Sequence, residues 1–300
     1  MAACDEQPNF PLAPEEEQAS VSFGKGGNGG GGPEEDRILV FSDKEDPSGD
    51  IYSMNPDGTG LTRITNTPGP DYSATWSPDG KRIAFVSTRH DPRGDIYVMN
   101  GDGTGVTRLT NRPGADYLPT WSKDGKRIGF ASARDAVDPA APTNADVEIY
   151  VMNADGTNAV RLTHNALYDA WPAWSPDGRK IMFISNRDHV DPASDVYTMN
   201  PDGSGITRLT FEGKTVGSPE WSPDGRRIAL WASDGIYTMR LDGTAPTLLV
   251  GGVDVLGPKW SPDGDQLAYS KGPGVQQQVF RINADGTVKP SSRLSPGGPW

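Results

Sequence analysis

The chain has 300 residues, of which 34% are hydrophobic and 23% charged, with a formal net charge of −12. That balance offers no basic footprint for nucleic acid or anionic lipid, and no apolar run approaches the ~20 residues a membrane-spanning helix needs. A single cysteine, Cys4, excludes an internal disulfide framework.

The first 36 residues carry eight acids against Lys25 and contain a Gly-rich run over 24–32, GKGGNGGGG. Such a composition buries too little apolar surface to order itself, so 1–36 reads as a flexible acidic tether. The opening Met-Ala-Ala-Cys resembles the junction of a bacterial lipoprotein, which makes Cys4 the candidate lipidation site. No charged or hydrophobic export segment precedes it. An unmodified Cys in a cytoplasmic tail is the competing reading.

From Arg37 onward the chain repeats itself. Arg37–Phe41, RILVF, enters as a strand with no turn motif before it. Then WSPDG or WSKDG occurs five times, at Trp76, Trp121, Trp174, Trp221 and Trp260, with spacings of 45, 53, 47 and 39 residues. Each copy is followed by a short apolar run such as RIAFV, a DIYVMN-like run, an Asp-Gly turn and a TRLT-like run. Runs of this length, β-branched or aromatic and bounded by Gly and Pro, are strands. The Asp-Ile-Tyr element recurs at Ile51, Ile96, Ile149, Val196, Ile236 and, degenerated, Val279, which counts six units.

A period near 44 residues with four strands per unit predicts an all-β six-bladed propeller of four-stranded antiparallel blades over 37–300. Within each blade the segment ending at Trp is the inner strand, and the Ser-Pro-Asp-Gly after it is a tight hairpin with Gly in the left-handed position. The first unit lacks an inner strand. Pro296–Trp300, PGGPW, looks like one more pre-Trp segment, so the C-terminal strand is expected to close the first blade and remove the exposed sheet edge.

The pattern WSPDGxxIAF followed by DIYxMNxDGTGxxRLT resembles the TolB-type propeller repeat, related to the propellers of tricorn and prolyl oligopeptidases. The resemblance implies a non-enzymatic, protein-binding propeller of the bacterial cell envelope, periplasmic or lipid-anchored. TolB itself binds the peptidoglycan-associated lipoprotein. This chain has a Gly-rich tail where TolB carries an α/β domain, its fifth and sixth units diverge, and its third carries an insertion over Asp135–Val147. It reads as a stand-alone TolB-like propeller, monomeric, whose partner is a protein such as an envelope lipoprotein. A cytoplasmic location is the alternative.

The uniform Trp turns and Asp-Gly turns fall on one face, and the variable loops and blade-to-blade crossings on the other. Binding usually resides in variable loops on a rigid scaffold. On that face Asp71, Asp116 and Asp169 each sit five residues before a Trp, beside Tyr72, Tyr117, Tyr168 and Trp171. These seven are the candidate partner-binding residues, forming an acidic rim with aromatics. The competing reading is turn capping by the acids and interblade packing by the rings. Arg89, Arg134 and Arg187, in a shared Ser-x-Arg pattern, are expected to pair with acids of neighbouring loops.

Asp91, Asp95, Asp188, Asp191 and Asp195 are hard oxygen donors suited to Ca²⁺, although their spacing matches no EF-hand loop and turn chemistry explains them as well. No Gly-x-Ser-x-Gly elbow, phosphate loop or Cys nucleophile occurs in the repeat region, so no catalytic residue and no cofactor is expected. The alternatives from other classes are a metal-dependent lyase or hydrolase working in the central channel and a sensor or gating propeller for a separate peptidase.

Overall fold

The computed structural model describes residues 22–24, 37–41, 49–55, 59–136, 146–165, 167–189, 193–210, 214–272, 278–287 and 292–293. The regular elements among them are strands, and within each sheet consecutive strands pair antiparallel, four to a sheet. Five blades follow the repeat in full. Their inner strands are Asp71–Trp76, Asp116–Trp121, Asp169–Trp174, Val216–Trp221 and Val255–Trp260, and each is followed by a second, a third and an outer strand.

The Trp turns form as their residue types require. In the second unit the Gly80 amide donates to the Ser77 carbonyl at 2.9 Å. The Ser77 hydroxyl donates to Asp79 at 2.6 Å and accepts from the Arg82 amide at 2.9 Å. Gly80 holds φ at 67°, and Gly125, Gly178, Gly225 and Gly264 repeat this at 65°, 73°, 70° and 77°. That conformation costs a residue with a Cβ roughly 1–2 kcal/mol. The two uniform sets of turns share a face, because the Gly101 amide of an Asp-Gly turn donates to Lys81 of a Trp turn at 2.9 Å. The crossings lie opposite, where Asp116 N donates to Gly94 O at 3.1 Å.

The first sheet departs from the expected architecture. Six equivalent four-stranded blades with the first closed by the C-terminal strand are not what the chain builds. Only two strands of this sheet are of ordinary length, Arg37–Phe41 and Ile51–Met54, flanked by Ser22–Gly24 and Thr62–Arg63. The inner position belongs to Ser22–Gly24, with Ser22 opposite Leu39, Phe23 opposite Ile38 and Gly24 opposite Arg37. This short strand also lies beside the inner strands Asp71–Trp76 and Val255–Trp260, so the ring shuts from the N-terminal side. At the other end Ser292–Arg293 is an outer strand against Gln278–Asn283, and Pro296–Trp300 lies outside the described residues. The physical reason is that closure needs only some strand with free backbone groups at the inner position. Three residues are too few for alternation to announce them in a Gly-rich context.

The core lies between blades. Ala84, Val86, Ile96 and Val98 of one blade pack with Tyr117, Trp121, Ile128 and Phe130 of the next. Trp121 Nε1 donates to Thr75 O at 3.2 Å, and Trp221 Nε1 to Ala173 O at 3.0 Å, tying inner strand to inner strand. Trp121 and Trp221 are therefore blade-to-blade joints.

Candidate functional site

Each candidate rim acid is enclosed in its own blade. Asp71, Asp116 and Asp169 are buried. They accept from Arg89 at 3.1 Å, Arg134 at 2.9 Å and Arg187 at 2.8 Å. The arginines bond the Ser of Ser-x-Arg through Nε, at 2.7 Å for Ser87 and 2.9 Å for Ser132 and Ser185. The same guanidiniums lie over aromatic pairs, Arg134 at 4.7 Å from the Phe130 ring and 5.0 Å from Tyr150. The arginines thus pair with their own inner strand rather than with neighbouring loops. Burial raises the Asp116 carboxyl, and Arg134 opposes it.

A residue offset of 18 joins every such pair. That offset is the signal in the sequence that identifies it: in the fifth and sixth units the acid becomes Val216 and Val255, and the arginine position becomes Asp234 and Pro273. Acid and base vanish together, as a structural ion pair demands.

The candidate metal ligands are also engaged. Asp91 bonds Arg93 at 3.1 Å. Asp95 bonds Arg108 at 2.7 Å, and Asp195 bonds Arg208, His189 and, at 2.6 Å, Thr210. Asp188 accepts from the Tyr197 hydroxyl at 2.7 Å. Asp191 lies outside the described residues. Among the described residues no group of three or more His, Cys, Asp or Glu is arranged to hold a metal. Asp95 belongs to a second recurrent pair, acid at the start of the third strand or just before it and Arg thirteen residues on in the outer strand, which includes Asp50–Arg63 and Glu148–Arg161. Burial pushes the Asp95 carboxyl up to about 6, against the pull of Arg108, with Asp116 across the blade junction adding to the rise.

With the acids sequestered, the open feature is the central channel, a cavity of about 290 Å³ formed by the five Trp-ended inner strands. Three residues before each Trp the backbone turns left-handed, at Ser73, Leu118, Trp171, Ser218 and Gly257, with φ of 49°, 56°, 59°, 46° and 59°. Each lies at a bulge where inner and second strands shift register. All five line the channel. A non-Gly residue held there stores on the order of 1 kcal/mol of strain, and repetition around one cavity marks it as built. The two charged residues among its described lining, Glu220 and Lys259, pair with each other at 2.8 Å.

Of the candidate aromatics, Trp171 reaches the channel half-buried, Tyr72 and Tyr168 are half-buried at crossings, and Tyr117 is buried in the core. None of the three histidines lines the channel: His90 bonds the Tyr97 hydroxyl at 2.6 Å, His189 joins Asp195, and His164 is exposed. Cys4 lies outside the described residues. No helix among the described residues is long and apolar enough to cross a membrane.

Solved structures share this architecture. TolB from Acinetobacter baumannii is 23% identical with a TM-score of 0.70, over 83% of this chain and 61% of that one, so the chain spans about three fifths of its length. A putative TolB from Agrobacterium tumefaciens is 22% identical with a TM-score of 0.65, over 86% and 88%. Oligogalacturonate lyase from Vibrio parahaemolyticus is 12% identical with a TM-score of 0.59, over 95% and 80%. At these identities the likeness is one of fold. No curated protein matched the chain in a sequence search. Residues 136–297, more than half of the chain, match the model of the TolB beta propeller domain, and the chain belongs to that family.

Proposed function

We propose that this chain is a non-enzymatic protein-binding propeller of the bacterial cell envelope, which takes a segment of an envelope protein in its central channel. One observation carries the reading: the channel is walled by Pro119, Pro172, Pro219, small hydroxyl side chains and a half-buried Trp171, while the charged side chains among its described lining, Glu220 and Lys259, neutralise each other. Such a wall recognises backbone and apolar side chains, and it presents neither a metal-ligand set nor an unpaired acid and base. The buried acids then act as supports that set the crossings carrying Tyr72 and Tyr168.

The partner class is an envelope lipoprotein, by analogy with the family. The compartment is the periplasm or the outer-envelope surface, with Cys4 as the acylated anchor. The intact mass of the native protein tests acylation directly.

Calorimetric titration with the purified soluble domain of the same bacterium's peptidoglycan-associated lipoprotein tests the binding role. The Trp171→Gly variant, which keeps the left-handed backbone, is the control. Binding weakened by the variant is expected. Equal binding removes the channel from the reading. Divalent-metal-dependent cleavage of oligogalacturonate, with no lipoprotein binding, would replace it with the lyase.

A further inference from the structure

The fifth blade lacks a ring that most of its neighbours carry. Opposite the third-strand Tyr, the second strand places Phe85, Phe130 and Phe183 in the second, third and fourth units, and in the sixth Tyr269 stands opposite Phe280. The ring centroids of these pairs lie 5.6 or 5.7 Å apart. In three of them a guanidinium covers the Tyr ring, Arg89 at 4.9 Å, Arg134 at 5.0 Å and Arg187 at 5.1 Å. The first unit has Val40 opposite Tyr52. In the fifth, Leu230 stands opposite Tyr237, Ala232 takes the Ser position and Asp234 the Arg position.

Where the other blades place ring and guanidinium, a cavity of about 230 Å³ lies between the fourth and fifth blades. Leu209, Val216, Leu230, Ala232 and Met239 give it an apolar wall, to which Tyr237 adds its ring. Lys214 Nζ lies 4.8 Å from the Tyr237 ring centroid, so a lysine of the crossing stands in for the missing arginine. The cavity therefore keeps two parts of the recurrent stack, the Tyr ring and the cation over it.

Its charged groups are already matched. Lys214 Nζ donates to Asp234 at 2.9 Å and to the Tyr237 hydroxyl at 3.2 Å. Asp195, the other charged residue of the described lining, is bonded by Arg208 and, at 2.6 Å, by the Thr210 hydroxyl. A charged ligand would lose its hydration for groups that have counter-ions of their own, whereas a neutral one loses little. Apolar cavities of roughly 150 Å³ stay dry and take up benzene. An aromatic ring gains further from offset packing on a second ring and from a nearby cation. We infer that this cavity binds a small neutral aromatic molecule, its ring packed against Tyr237 in the place that Phe85, Phe130 and Phe183 fill in their own blades. The site shares no described lining residue with the central channel, so its occupancy is independent of the channel reading.

The test is calorimetric titration of the full chain at neutral pH with phenol and with cyclohexanol, a saturated ring of similar size. Leu230→Phe writes the repeat's own ring into the cavity, and Lys214→Gln removes the cation over Tyr237. Thermal denaturation checks that both variants fold. One phenol per chain is expected for the wild type, with binding abolished in Leu230→Phe and Kd raised about two- to fivefold in Lys214→Gln. Cyclohexanol should bind the wild type more weakly by a similar factor. If Leu230→Phe does not fold, Ala232→Leu fills the cavity from the same strand and carries the same expectation. Phenol bound equally by the wild type and the filled variant, or not bound by the wild type, overturns the site. Cyclohexanol matching phenol overturns the aromatic class of the ligand.

Discussion

The Arg82 guanidinium lies 4.6 Å from the ring centroid of Trp121 in the next blade, and its NH2 donates to Gly125 O at 3.1 Å. Arg127 over Trp174 and Arg227 over Trp260 repeat the contact at 4.6 and 4.7 Å. In these three units the arginine six after the Trp thus clamps a neighbouring Trp turn. The fourth unit has Lys180 there, and it turns instead to Asn200 at 2.8 Å. Arg82→Ala should destabilise by about 1–2 kcal/mol, the combined size of a cation–π contact and a charged hydrogen bond. Lys180→Arg should raise Tm if its guanidinium reaches Trp221. Thermal denaturation of both variants checks this.

The buried pair of Asp116 and Arg134 gives a larger effect. Arg134→Met leaves a carboxylate unpaired in the core, and breaking a buried pair from one side costs about 3–5 kcal/mol. The double variant Asp116→Val with Arg134→Met, which imitates the apolar fifth and sixth units, should recover much of that loss. Urea denaturation of the single and double variants is the check, and equal stabilities would show the pair to be dispensable.

Closure from the N-terminal side predicts that removing residues 1–24 lowers Tm, because the inner edge of the first sheet then opens. Adding a synthetic peptide spanning Ser22–Gly24 and its neighbours should restore part of the loss. An unchanged Tm for the truncated chain would rule out closure by this strand.

Acid titration should act in two directions. Asp79, Asp124, Asp177, Asp224 and Asp263 are held below the ordinary carboxyl range, chiefly by the Ser hydroxyl two residues before each. Their contribution is present above the unfolded value and is lost as pH falls through the folded one. Asp95 has the opposite sign: with its carboxyl pushed up to about 6, stability falls as pH rises from about 4 towards 6. Asp95→Asn should flatten stability across that interval and leave the acid limb intact. Denaturation monitored by tryptophan fluorescence from pH 4 to 7 separates the two.

Gly178→Val tests the turn. A β-branched residue at φ of 73° should destabilise by about 1–2 kcal/mol. Gly178→Asn, tolerated in the left-handed region, should cost less. Comparable losses in calorimetry would show that the positive φ is not what Gly178 supplies.

The sequence by itself determined the blades, because strand, Trp turn and Asp-Gly turn are local and periodic, and each is enforced by residues within six positions of one another. Trp76 to Gly80 needs nothing distant to form its hairpin. The offset of 18 between Asp71 and Arg89 was legible too, yet acids beside aromatics read equally well as a rim.

Only the tertiary structure decided between those readings, since burial of Asp71, Asp116 and Asp169 depends on the neighbouring strands that cover them. It likewise set Trp171 at the channel, through a left-handed bulge that no propensity at Trp would announce. Ring closure was beyond local pattern for the same reason. The edge of the first sheet can be satisfied from either terminus, and the choice of Ser22–Gly24 rests on long-range pairing rather than on what those residues prefer.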